Sequence, residues 1–314
     1  MSAVLNIVIP VFGLGLIGYC AGKLGWFSSD AAAGLSKFVF NWAIPFMLVR
    51  VLVQQDLPST FPWQLLVSFY LPAAVLYGFS MLAARIYFQR DFSGQVMTGF
   101  TSVFGNVVLL AIPLTLLTFG DIAAVPLFII ISIHGLSYLT LTTLLLEVGR
   151  NQQQKRGKLA VDTLRGLVTN PIIVALFLGF CGNRLNLELP TMLDRIAAFM
   201  QDAVLPCSLF SLGASLSGYR ILGQIRQTLF VVTIKNLLFP ALVWFSAVYF
   251  FNLPVLSAMV VTLIAAQPCG VHSYLIAQRY QSAQALAGTS VFISTAVSVF
   301  TLTALILFFK ISAG

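Results

Sequence analysis

Two amides, Asn106 and Gln267, are the first side chains to weigh as chemistry, because each stands beside a backbone-breaking residue inside a long apolar stretch. One stretch reads Phe104-Gly105-Asn106 and runs on to Ile112-Pro113; the other reads Ala265-Ala266-Gln267-Pro268-Cys269-Gly270-Val271-His272. A proline deep in a helix removes one N–H and clashes one turn back, so these helices are expected to break or kink at Pro113 and Pro268. The half-helix that follows each break begins with free N–H groups and about half a unit of positive charge, an environment suited to an anion or a carboxylate. Asn106 and Gln267 can donate to that same ligand, or else they satisfy the opened backbone.

His272 lies one turn beyond Pro268, and an unperturbed imidazole titrates near neutral pH, which makes it the candidate for proton coupling, with plain packing as the other reading. His134, beside Gly135 and Ser137, is the weaker of the two histidines. A second matched pair is Asn41 with Pro45 and Asp202 with Pro206, each four residues apart. A carboxylate inside a span is costly and faces a bundle interior or a water cavity. The i+4 proline frees a carbonyl near Asp202, so the grouping suits Na⁺ or a proton, or else a hydrogen-bonded structural carboxylate. Lys235 is the other charge that reads as buried; it pairs with Asp202, assists an anion, or snorkels. The site expected from these residues comprises Asn106, Pro113, Gln267, Pro268, His272 and Asn41, with Asp202, His272 and Lys235 as ion-coupling candidates. Cys20, Cys181, Cys207 and Cys269 show no metal or disulfide spacing and are read as packing residues. No HExxH, GxSxG or GxGD pattern occurs, so no enzyme, no catalytic residue and no metal are expected, and no cofactor beyond a coupling H⁺ or Na⁺.

The elements that must position these residues are membrane helices. Hydrophobic residues make up 59% of the chain and charged residues 8%, and the mean hydropathy is +0.96. Uncharged runs such as Leu57–Ala84, Phe92–Gly120 and Tyr280–Phe309 exceed the roughly 20 residues that cross a bilayer. Backbone groups in hydrocarbon need internal partners, so these runs are helices. Spans are expected near 3–22, 33–53, 64–86, 96–119, 122–147, 166–183, 194–217, 227–250, 256–278 and 284–309. The first of them has no basic residue before Lys23, so it is read as a span, not a cleaved signal.

Those ten spans form two copies of one pattern. Pro10, Gly18, Tyr19 and Cys20 return 161 positions later as Pro171, Gly179, Phe180 and Cys181; Asn106 returns as Gln267 at the same displacement. Five spans per copy is an odd number, so the second copy is inverted, as in alternating-access transporters. The expected organisation is a first repeat over 1–150, a linker over 151–165 and a second repeat over 166–314. Lys and Arg favour one side of this topology twelve to four, which puts the basic linker in the cytoplasm and both termini outside. The net charge of +8 is therefore scattered over loops beside anionic headgroups, and no nucleic-acid partner is expected.

Several motifs carry a resemblance: Phe104-Gly105-Asn106 with Ile112-Pro113-Leu114, Thr169-Asn170-Pro171-Ile172-Ile173-Val174-Ala175, Leu205-Pro206-Cys207-Ser208 through Gly213-Ala214-Ser215-Leu216, and Gln267-Pro268 with Gly270-Val271 leading to Gln278-Arg279-Tyr280. On these the chain resembles the auxin efflux carrier (PIN-like) family, whose bacterial members include malonate and malate permeases. The resemblance implies an all-α fold of ten transmembrane helices in two inverted five-helix repeats. It implies a scaffold of spans 1, 2, 6 and 7, and an elevator-type transport domain of spans 3–5 and 8–10 in which broken spans 4 and 9 cross at the substrate. It also implies a homodimer in the cytoplasmic (inner) membrane carrying an auxin-like monocarboxylate or a malonate- or malate-like dicarboxylate. Many bacterial relatives have asparagine where this chain has His272, a departure that bears on substrate and coupling. A passive channel or a non-transporting membrane sensor of the same fold is the rival expectation.

Overall fold

The computed structural model describes residues 2–55, 62–149, 169–219 and 223–312, with side chains between Val8 and Ile311. The expected linker 151–165 lies outside these residues. Among them the chain is helical, and its one β feature is an isolated bridge. In chain order the helices are α1 (Ser2–Lys23), α2 (Ser29–Gln54), α3 (Trp63–Ile86), α4 (Phe92–Val103), α5 (Val107–Phe119), α6 (Asp121–Gly149), α7 (Pro171–Arg184), α8 (Thr191–Leu216), α9 (Ile225–Phe250), α10 (Val255–Ala265), α11 (His272–Tyr280) and α12 (Gln284–Ser312). Six of these, α2, α3, α6, α8, α9 and α12, are long and apolar enough to cross a membrane; α5, α7, α10 and Val8–Lys23 of α1 are shorter apolar helices.

Local chemistry sets the starts. Ser28 accepts from the Ala31 N–H at 3.1 Å to cap α2, Asp91 accepts from Gly94 at 3.1 Å to cap α4, and Asn170 accepts from Ile172 at 2.9 Å ahead of Pro171, the first residue of α7. Inside α4 the hydroxyls of Thr98, Thr101 and Ser102 donate back to carbonyls one turn earlier, so these buried polar groups are satisfied.

The helices sort into two compact units. One holds Met1–Pro62, Val108–Ser132 and Ala160–Gly218; the other holds Trp63–Val107, Ile133–Leu159 and Tyr219–Gly314. In the first unit α1 lies directly on α8 through glycine. A Cβ on Gly18 would sit 2.1 Å from the Phe210 carbonyl oxygen, and one on Gly213 would sit 1.8 Å from that of Gly15. Such close backbone approach is how helices associate where lipid removes the hydrophobic drive. On the other side α2 packs on α7: Gly179 faces Leu52 and Leu48, and the Asn183 amide donates to the carbonyls of Leu52 and Gln55 at 2.9 and 2.6 Å, closing the C-terminal end of α2. Arg50 adds an ion pair to Asp194 at 2.8 Å and a hydrogen bond to Gln201 at 2.9 Å.

The second unit is held by an aromatic core with threaded polar contacts. Phe69 stacks edge-on against Phe239 at 5.3 Å and His134 at 5.9 Å. Gln227 donates to Thr98 and accepts from Arg90, both at 2.8 Å, and Tyr280 donates to Glu147 at 2.8 Å.

Candidate functional site

The candidate site forms in the second unit, where α4 and α10 stop. α4 ends at Val103, with Phe104 extended, and the chain turns helical again at Val107. α10 ends at Ala265 and resumes at His272 as α11. The two non-helical segments pass antiparallel through a bridge between Gly105 and Cys269. Two hydrogen bonds make it: Asn106 N–H donates to the Pro268 carbonyl at 2.9 Å, and Gly270 N–H donates to the Phe104 carbonyl at 2.9 Å. The Cys269 N–H goes to the Ser294 hydroxyl at 2.9 Å. The N–H groups of Asn106, Cys269 and Gly270 are thus answered inside the protein, as an apolar surrounding requires.

Gly270 has to be glycine. A Cβ there would meet the Phe104 ring at 2.7 Å and the Gly105 carbonyl at 2.9 Å. Gly105 is under no such pressure, since its Cβ would find the Lys235 Nζ at 3.4 Å and the Gln267 Cβ at 3.5 Å, ordinary contact distances.

Pro268 lies in the break, as its missing N–H predicts. Pro113 does not mark the other break: α5 starts as a π-turn over Val107–Ala111, and Pro113 follows within its regular part, buried in the first unit. The interruption comes earlier, at Phe104–Asn106, where main-chain pairing with Pro268 and Gly270 competes with the helix and wins. The π-turn absorbs the proline's demand one turn later.

Asn106 is 7% exposed, and its Nδ2 has no hydrogen-bond partner among the described residues. Gln267 is fully buried; its Nε2 donates to the Leu263 carbonyl at 2.9 Å while its Oε1 has no partner. A buried unsatisfied polar group costs about 1–3 kcal/mol, so each of these atoms calls for a partner that the described residues do not supply. His272 is the exposed first residue of α11, its ring 5.9 Å from that of Phe104. Lys235, on α9, is fully buried, and its Nζ donates to the Ala265 carbonyl at the end of α10. Asn106, Gln267, Pro268, His272 and Lys235 therefore belong to one unit.

The remaining candidates belong to the first unit. Asn41 is exposed in a π-turn over Val39–Ala43 that precedes Pro45. Asp202 is exposed near the middle of α8, which continues through Pro206. With Pro206 lacking an N–H, the Asp202 carbonyl has no helical donor, as its spacing predicts. Lys235's hydrogen bond to Ala265 stays within its own unit.

His134 gains most from the structure. It is 1% exposed, neither ring nitrogen has a partner among the described residues, and its ring lies 4.9 Å from Phe104 and 4.8 Å from Tyr138, whose hydroxyl is also unpartnered. The sequence signal was the polar group His134-Gly135-Leu136-Ser137-Tyr138 in an otherwise apolar α6. Only the fold brings it beside Phe104, the residue that opens the break.

The family model described as "Membrane transport protein" matches residues 3–306. A protein named "Putative malonate transporter" from Rhizobium meliloti (strain 1021) is 26% identical over 311 residues, covering 98% of this chain and 96% of that protein. "Auxin efflux carrier component 8" from Arabidopsis thaliana is 24% identical over 330 residues, covering 88% and 89% respectively.

Proposed function

We propose, from the premise that this chain belongs to the membrane transport protein family of the auxin efflux carriers, that it is a secondary active carrier moving a small organic carboxylate across the cytoplasmic membrane by alternating access. The observation that carries the reading is the Asn106 amide nitrogen: a buried donor without a partner, at the mouth of a half-helix, on a crossing held by main-chain bonds. A carboxylate supplies the missing acceptor and gains from the free N–H groups at the start of α5. Gln267 keeps a second amide hydrogen beyond the one it gives to Leu263. The anion is held between these two amides, with His272 beside it as the proton-coupling group and Asp202 as the ion-coupling candidate of the first unit.

The arrangement proposed is ten spans in two inverted repeats, with a scaffold of spans 1, 2, 6 and 7 and an elevator-type transport domain of spans 3–5 and 8–10. Both termini are outside, and the protein is a homodimer. Two features support it. The contact that places Gly18 of α1 against Phe210 is matched 161 positions on, where Gly179 of α7 lies against Leu48 and Leu52, the positions equivalent to Leu209 and Gly213 of α8. The compact units also group Met1–Pro62 with Ala160–Gly218, and Trp63–Val107 with Tyr219–Gly314, whereas Val108–Ser132, from expected spans 4 and 5, falls in the first unit rather than with the rest of the proposed transport domain. The relatives' names bring malonate-like dicarboxylates and auxin-like monocarboxylates forward as substrates.

Tracer counterflow in proteoliposomes tests the reading with labelled malonate and labelled indole-3-acetate. A carrier accumulates label transiently against unlabelled substrate inside, which a passive channel or a sensor does not. Asn106→Ala lowers the exchange rate about tenfold or more while leaving the melting temperature unchanged. Exchange at the unmodified rate in that variant removes Asn106 from the site.

A further inference from the structure

Lys235 is a full side chain with no exposure, placed in an apolar helix. The described acidic residues of its unit are Asp91, which caps α4, and Glu147, which accepts from Tyr280. Neither is hydrogen-bonded to Lys235, whose Nζ goes to Ala265. What surrounds the Nζ is neutral and electron-rich: the Ala265 carbonyl at the C-terminal end of α10, the Phe239 ring face with its centroid 4.9 Å away, and the backbone of Gly105, whose Cβ would lie 3.4 Å from it. The C-terminus of a half-helix carries about half a negative charge. In carriers built on interrupted helices, carbonyls of this kind coordinate the coupling Na⁺.

The geometry points to Lys235 as a tethered cation: it fills the place a coupling Na⁺ would take at the end of α10 and gives the substrate carboxylate its counter-charge beside Asn106. The inference rests on the carboxylate reading above and adds the source of the positive charge. A buried charge without an opposite partner is expensive, and that expense is relieved when an anion enters next to it. An ammonium on a four-carbon stem satisfies the helix end from within the chain, so transport does not wait on dissolved Na⁺. The ring face of Phe239 holds the charge without neutralising it, which leaves its field available to the ligand.

The experiment is counterflow of labelled indole-3-acetate and labelled malonate, run in Na⁺ medium and in choline medium. The unmodified protein exchanges its substrate at the same rate in both. Lys235→Met keeps the apolar stem, removes the charge, and lowers exchange about tenfold or more. Lys235→Ala opens the space the ammonium filled, and added methylammonium or Na⁺ restores part of its exchange, whereas choline does not. This rescue also decides the matter if Lys235→Met fails to fold. Three results overturn the inference: exchange by the unmodified protein that requires Na⁺, exchange by Lys235→Met at the unmodified rate, or no rescue of Lys235→Ala. If the unmodified protein exchanges neither acid, the carboxylate reading falls and takes this inference with it; survival of exchange in Lys235→Met removes this inference alone.

Discussion

Replacing Gly270 with alanine adds one methyl group at the tightest point of the helix crossing. That methyl would lie 2.7 Å from two carbons of the Phe104 ring and 2.9 Å from the Gly105 carbonyl oxygen. The ring can shift, but the carbonyl belongs to the bridge itself, so the two segments must separate. Overpacking of this kind costs about 1–3 kcal/mol, and each of the two backbone hydrogen bonds put at risk adds about 0.5–1.5 kcal/mol, giving about 2–6 kcal/mol in all. Gly105→Ala is the matched control on the opposing segment. Its methyl meets Lys235 and Gln267 at 3.4 and 3.5 Å, so its effect on stability stays below about 1 kcal/mol. The assay is thermal unfolding of both purified variants beside counterflow in proteoliposomes. Gly270→Ala lowers the melting temperature and abolishes exchange, and Phe104→Leu in the same chain recovers part of the stability because it withdraws the ring. A Gly270→Ala protein that melts and exchanges like the unmodified one would refute the bridge as the element holding the site.

Gly18→Leu forces α1 away from α8, since even its Cβ would overlap the Phe210 carbonyl, and lowers thermal stability by about 1–3 kcal/mol or more; Gly13→Ala, with nothing within 4 Å, leaves the melting curve in place. His272→Asn flattens the dependence of uptake on pH between about 5 and 8 if the histidine couples protons, and a profile identical to the unmodified protein's assigns His272 to packing.

Helix existence was legible because apolar runs of this length have one solution in lipid, and the runs ending at Ile86, Gly149 and Leu216 fall within a few residues of the spans read from composition. The interruption at Pro268 was legible as well, since proline lacks the hydrogen a helix needs. The interruption at Phe104–Asn106 was not located correctly, because nothing in that tripeptide forbids a helix; a partner strand supplied by Pro268 and Gly270 breaks it. The proline motif gave different results in the two halves: a π-turn precedes Pro45, whereas α8 runs unbroken through Pro206. Burial of Lys235 was visible from its apolar flanks, but its carbonyl partner 30 residues away was not. His134 shows the same limit, because its neighbours Phe69 and Phe104 come from other parts of the chain.

The joint between the interrupted helices is made of peptide groups, and beyond the glycine it demands at one position it dictates no side-chain identity. On the proposed function, recognition and mechanical integrity are thereby separable tasks in this molecule. Residues 106, 267 and 272 can be randomised together to search for altered cargo preference while the hinge stays assembled, which makes this crossing a natural place to retune a carrier by directed evolution.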